Sequence, residues 1–375
     1  MILLPMVASA DAVEINGIYY ELILKAQQAE VTRNPNNYSG DILIPESVTY
    51  DGTTYSVTSI GTNAFWACNE ITTVTIPNSV TSICDGAFWI CSALTSVNIG
   101  SGVTGIGELA FSECSSLTTI NIPDNVKSIG KKAFFRCNNL TSVSIGSGVS
   151  KIDEWTFGEC ISLSSITIGN NVTTIGMAAF AECNSLQSLN IPNSVTLIDD
   201  AAFQGCSSLE ILNIGSGITT INYGCFSGCS SLASVIIPNS VSTIRNNAFK
   251  ECSGMTSLTI GSGVETIAPN AFADCKQLTD VFCLALVLPW TGDDVFKGSY
   301  IEYVILHVPS SAINDYKKTK PWSEFKEIVG IAMPEHELKY IVDDEIYKTC
   351  TVEEGTAITP EPAPTKEGYT FSGCI

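Results

Sequence analysis

The chain is short of cations. Its 375 residues include 18 Lys and Arg against 38 Asp and Glu, a net charge of −20 at pH 7. Residues 34–126 contain no Lys or Arg, and neither do residues 152–244. Such a surface repels phosphate backbones and anionic headgroups, which excludes nucleic acid and an anionic membrane as partners. No apolar run approaches the ~18 residues of a membrane-spanning helix, so no membrane insertion is expected. Histidine is nearly absent, at His307 and His336, and no C-x-x-C occurs. A metal centre therefore lacks paired ligands, and no cofactor is expected. Asp199 with Asp200, and Asp293 with Asp294, do not supply the about six to eight oxygens that Ca²⁺ takes. Catalysis wants a nucleophile beside a base, or paired acids in a cleft. Both His lie outside the repeats and the paired acids fall on turns, so no enzyme is expected.

What is abundant is cysteine, at one interval. Cys68, Cys91, Cys114, Cys137, Cys160, Cys183, Cys206, Cys229, Cys252 and Cys275 stand 23 residues apart, each preceded three residues earlier by Phe. Apolar residues follow each Cys at the third, sixth and eighth positions, as in Cys91, Leu94, Val97 and Ile99. A period of this length with L-x-x-V-x-I spacing predicts a leucine-rich-repeat solenoid, right-handed, because one coil cannot bury its apolar side without stacking on the next. Each coil should carry two short parallel β-strands, one at Leu-x-x-Val-x-Ile and one at Val-x-x-Ile. A single helical or 3₁₀ turn is expected at Ala-Phe-x-x-Cys. The residue between the strands is Pro at 77, 123, 192 and 238 and Gly at 100, 146, 169, 215 and 261, a partial alternation expected if coils were duplicated in pairs. Stacked cysteines in one column point their Cβ vectors the same way, so we read the ten as free buried thiols serving as small apolar fillers. Cys84, Cys225 and Cys283 also fall on repeat columns; Cys350 and Cys374 are off-pattern, and their pairing is open.

The ends differ from the middle. Residues 1–10 read as a signal-peptide remnant, an apolar stretch followed by Ala8-x-Ala10. Residues 11–60 form an N-terminal β-hairpin cap, turning at Asn16-Gly17, together with the first strand of the stack. Residues 61–283 are the regular solenoid, 284–330 a degenerate repeat with a C-terminal cap containing Trp322 and Phe325, and 331–375 a truncated β-module.

The frame Ile-Pro-Asn-Ser-Val-Thr-Ser-Ile with Ala-Phe-x-x-Cys, seen at residues 76–91 and repeated, resembles the BspA-type leucine-rich repeat family of bacterial surface proteins. Residues 338–375 are similar to the small β-modules called Listeria/Bacteroides repeats, through Pro364-Thr365-Lys366-Glu367-Gly368-Tyr369-Thr370-Phe371. The module carries Cys374 where the family usually has Trp. The resemblance implies an extracytoplasmic protein, at the cell surface or secreted, that adheres to host matrix proteins or other cells. It brings no catalytic motif. The partner would be an extracellular protein or glycan, and the chain a monomer.

Two surfaces stand out as binding candidates. Outward strand positions carry Thr73, Thr75, Asn98, Asn121 and their equivalents, a ladder of small neutral hydrogen-bonding groups suited to an extended polypeptide, a glycan or ice, or simply to solvent. Ile211 and Ile236 interrupt it, which argues against ice. On the opposite edge Trp66 and Trp89 share a column, with Ile90 beside them and Phe135 two coils on; Trp155 falls in a different column. Either these aromatics are exposed to a partner, or the N-terminal hairpin or the insertion at residues 50–55 covers them.

Overall fold

The computed structural model describes residues 12–333, 335–342 and 345–353. The signal-like residues 1–10, the Pro364–Phe371 motif and Cys374 lie outside the described residues. The chain opens with β1 (Val13–Ile15) and β2 (Ile18–Ile23), an antiparallel hairpin whose turn residues Asn16 and Gly17 take φ of 52° and 84°. These are the left-handed values that the Asn-Gly dipeptide accommodates. β3 (Gln28–Val31) pairs with β2. β4 (Ser39–Leu43) is the first rung of the long-strand ladder, and β5 (Ser47–Tyr50) makes a second hairpin with β6 (Thr53–Ile60). β6 continues from β3 in parallel and begins the short-strand ladder. β7 (Glu70–Thr75) stacks on β4 and β8 (Ser82–Ile83) on β6. From there the sequence period becomes the pairing register: Val74 lies opposite Val97, Ile120 opposite Val143, and Ile60 opposite Ile83.

The segment between short strand and Cys turns through i→i+3 bonds, as in Phe135 N–H to Lys132 at 3.1 Å and Cys137 N–H to Phe134 at 3.3 Å, without running on into a helix. Each coil has two left-handed residues there, five positions and one position before Cys: Lys132 and Arg136 (φ 56° and 58°), Trp155 and Glu159 (55° and 56°), and likewise through the stack. A helix would aim successive N–H groups along its own axis. The left-handed residues instead turn every second N–H toward the following coil. Lys132, Phe134 and Arg136 donate to the carbonyls of Glu154, Thr156 and Gly158 at 3.0, 2.9 and 3.0 Å, a third ladder parallel to the two of strands. A non-glycine residue in this region costs roughly 1–2 kcal/mol, which the inter-coil hydrogen bond helps to offset.

Inside the turns, Phe65, Phe88, Phe111 and their successors to Phe296 form one column of near-parallel rings, with centroids 4.7–5.6 Å apart. Tyr38 closes the N-terminal end against Phe65 at 4.6 Å, and Trp322 and Phe325 close the other end edge-on to Phe296. Because every ring is packed on both faces, removing one leaves a void that neighbouring coils cannot fill. Phe157→Ala is expected to cost about 4 kcal/mol, measured as a lower guanidinium midpoint. In a linear stack the halves on either side should then melt at separate midpoints.

The column cysteines do more than fill space. The Cys91 thiol donates to the carbonyl oxygen of Phe65 at 3.0 Å, Cys114 to that of Phe88 at 3.1 Å, and the same bond continues to Cys275 and Phe249 at 3.3 Å. The unit after Cys275 is one residue longer, and its turn keeps the frame: Val295-Phe296-Lys297-Gly298-Ser299 replaces Ala-Phe-x-x-Cys. Ser299 is fully buried and donates to the Phe272 carbonyl at 2.7 Å, taking the thiol's place.

The alternation of Pro and Gly has a packing cause. A Cβ at Gly100 or Gly146 would overlap the carbonyl of Pro77 or Pro123 in the coil before, and one at Gly102 would overlap the Asn78 carbonyl. Asn78 Oδ1 accepts from the Ser101 N–H and hydroxyl at 2.8 and 3.1 Å, and Asp124 holds Ser147 in the same way. A Gly-Ser-Gly coil therefore nests on a Pro-Asn or Pro-Asp coil. Gly169 follows Gly146 rather than a proline, and a Cβ there would meet nothing.

Candidate functional site on the turn edge

In the first five coils the residue after Phe is Trp66, Trp89, Ser112, Phe135 and Gly158. Trp66 and Trp89 lie 6.3 Å apart, tilted by 38°. Phe135 meets Trp155 edge-on at 5.6 Å. Trp155 starts from a different column, but its ring lies over Gly158, where a Cβ would collide with it. Four aromatic rings thus occupy one stripe, broken at Ser112, which is fully buried between them in sequence order and donates to the Phe135 carbonyl at 3.4 Å. All four rings are half-buried.

Cations lie on the stripe. The Arg33 guanidinium sits 4.6 Å from the Trp66 ring centre. Arg136 and Lys132 approach Phe135 at 4.9 and 5.9 Å. Such contacts draw the cation to the negative face of the ring. The residue on Trp66 thus comes from the loop after β3, not from the β1–β2 hairpin or the insertion at 50–55. The indole N–H groups of Trp66 and Trp89, and Arg33 Nη1, are shielded from solvent and have no hydrogen-bond partner among the described residues. Arg136 pairs with Glu159 at 2.8 Å and Lys131 with Glu154 at 2.9 Å. Each base sits between acids of the coils before and after, in columns that would otherwise stack like charge on like. The neighbouring carboxylates hold Lys131 and Arg136 above their ordinary pKa.

The candidate residues divide between two sides of the coil. Trp66, Trp89, Ile90 and Phe135 come together on the turn edge, with Ile90 half-buried at φ 62°. Thr73, Thr75, Asn98 and Asn121 lie on the long-strand face; the two Asn are exposed and the two Thr half-buried. The Thr72 and Thr73 hydroxyls both donate to Asp41 Oδ1 at 2.7 Å, which lowers the Asp41 pKa and commits Thr73 to an internal contact. At the far end of that face His307 stacks on Phe282 at 4.3 Å, and its Nε2 lies 3.0 Å from Asp280. Among the described residues no cluster of His, Cys, Asp or Glu is placed to hold a metal, and no helix is long and apolar enough to cross a membrane. The contributions of Trp155, Arg33 and Arg136 escape a column-by-column reading. Only Gly158, a gap in an aromatic column one coil from Phe135, signals the Trp155 contact.

A comparison with curated protein sequences returns no significant match. Among solved structures, a leucine-rich cell surface protein from Faecalibacterium prausnitzii is 27% identical, with a TM-score of 0.36 over 73% of this chain and 95% of its own. A leucine-rich repeat protein from Bacteroides ovatus is 27% identical, with a TM-score of 0.42 over 84% and 99%. The pneumococcal vaccine antigen PcpA shares the fold at 18% identity, with a TM-score of 0.51 over 86% and 99%. The profile of the BspA type leucine rich repeat region matches residues 47–164, 151–279, 196–318 and 254–374. With the three stacked ladders and the repeated Phe-Cys turn, those matches span most of the sequence, and the chain belongs to the BspA-type leucine-rich repeat family.

Proposed function

We propose that this chain is a non-catalytic, extracytoplasmic binding protein, an adhesin that contacts host matrix proteins or other cells through the turn edge of its solenoid. The observation that carries this reading is the stripe of Trp66, Trp89, Phe135 and Trp155 with Arg33 and Arg136 laid against it. Trp and Arg dominate the energetics of protein interfaces, and half-buried rings are already held in place, so little side-chain freedom is lost on docking. Family membership and the surface location named for the Faecalibacterium relative support the setting. A carbohydrate ligand is the second reading, favoured by the paired indoles of Trp66 and Trp89, whose faces suit sugar rings. A spacer role is the third, in which Arg33 over Trp66 is simply packing.

The test is binding of the protein, beside a Trp66→Ala/Trp89→Ala variant, to arrays of extracellular-matrix proteins and glycans. Saturable binding that falls at least about 30-fold in the variant, the loss of a hot spot of about 2 kcal/mol, with circular dichroism unchanged, is the expected result. Binding equal in both forms would remove the stripe from the site, and binding by neither would favour the spacer.

A further inference from the structure

The third ladder ends open. In each turn from the coil of Phe65 to the coil of Phe272, three N–H groups donate to the next turn, the last set being Asn270, Phe272 and Asp274 to the carbonyls of Asp293, Val295 and Lys297 at 3.3, 2.9 and 2.8 Å. The equivalent groups of the final turn, on Asp294, Phe296 and Gly298, have no acceptor among the described residues. By repetition they point toward where a further coil would lie. The cap does not occupy this place: Trp322 and Phe325 cover the Phe296 ring, while a groove remains between the turn and Lys320, Pro321 and Glu324.

The geometry points to this groove as a second docking site, one that takes a basic polypeptide segment of a partner protein, turned like the repeats, whose carbonyls stand in for the missing coil. Donors on alternate residues match the alternate carbonyls that each turn offers to the one before it, as Asp293, Val295 and Lys297 do for Asn270, Phe272 and Asp274. The charge fits a basic segment. Asp294 is paired with Lys297 at 2.9 Å and Lys320 with Glu324, while Asp293 is exposed and has no ion pair among the described residues. The same imbalance disfavours a simple anion, although unpaired N–H groups alone would suit one.

The probe is a capped peptide, Lys-Ala-Pro-Asn-Ala-Ala-Ala-Asn-Lys, patterned on residues 268–274 with Phe272 and Asp274 replaced by Ala and Asn and a lysine added at each end; the carbonyls of Pro269, Ala271 and Ala273 accept the third-ladder bonds in the intact chain. It is titrated into the ¹⁵N-labelled protein, and amide shifts and exchange are followed. The expected result is saturable shifts at Asp294, Phe296 and Gly298 with slowed exchange there, and affinity at least about threefold weaker in Asp293→Lys, an exposed charge reversal. No shift at millimolar peptide would overturn the proposal. Equal shifts with inorganic phosphate at matched ionic strength would replace it with an anion site, and protection rising with protein concentration alone would replace the partner with a second copy of this chain.

Discussion

Between pH 8 and pH 10 the solenoid is expected to lose stability steeply. Burial pushes the thiols of Cys160, Cys206 and Cys275 up to about 12, and those of Cys137, Cys183, Cys229 and Cys252 well above their ordinary value. A thiol with a raised folded pKa holds its proton more tightly in the folded chain than in the unfolded one. Its contribution is therefore complete below the unfolded value of ~8.5 and is lost as the pH climbs from there toward 12. Each such group removes about 1.4 kcal/mol per pH unit, so the first three alone remove about 4. Total stabilities are typically only about 5–15 kcal/mol, so a loss of about 4 kcal/mol per unit from three thiols is large, and the other four act in the same direction. Burial also raises Tyr38 and Tyr316, in the same sense. Guanidinium midpoints at pH 7, 8, 9 and 10 under reducing conditions would read the slope. A Cys160→Ser/Cys206→Ser/Cys275→Ser variant should be shallower by about 4 kcal/mol per unit, since Ser299 shows that a hydroxyl fits the column and does not titrate. A midpoint independent of pH up to 10 would mean that the thiols are solvated.

The glycines of the turn between the strands should divide sharply. Gly102→Ala places a methyl on the Asn78 carbonyl, a backbone atom fixed by the coil beneath it, and should cost about 3 kcal/mol through overpacking. Gly169→Ala meets open space and should be neutral or stabilising by about 0.5 kcal/mol, because alanine restricts the unfolded chain. Thermal or denaturant midpoints of the two variants decide it. Similar losses in both would show that backbone conformation, not nesting against the preceding coil, requires glycine here.

The sequence makes the two strand ladders and their register legible because apolar spacing reports burial directly, and the 23-residue interval sets what lies opposite what. The turns are not legible in this way. Their left-handed positions are filled by Ile90, Leu109 and Trp155, residue types that give no hint of positive φ, since the inter-coil hydrogen bond dictates the backbone and overrides local preference. The thiol-to-carbonyl bond is hidden because Cys passes for a small apolar residue until Ser299 appears in its place. At the site, columns predict Trp66 beside Trp89 but not Arg33 on Trp66, which depends on a cap with no repeat to align it. Nor do they predict Trp155 on Phe135, which needs a ring to reach across to a neighbouring glycine.

The nesting of Gly-Ser-Gly coils on Pro-Asn coils also bears on how such a chain changes length. Removing a Gly-Ser-Gly coil would set one proline coil on another, whereas removing two restores every contact, so a pair is the unit of growth or loss that keeps the nesting. The one place where the order slips, Gly146 followed by Gly169, is where the open space lies. That junction shows that a glycine coil stacks on a glycine coil without a clash, so relatives of unequal length are expected to differ by an odd number of repeats where a proline coil is missing and two glycine coils meet.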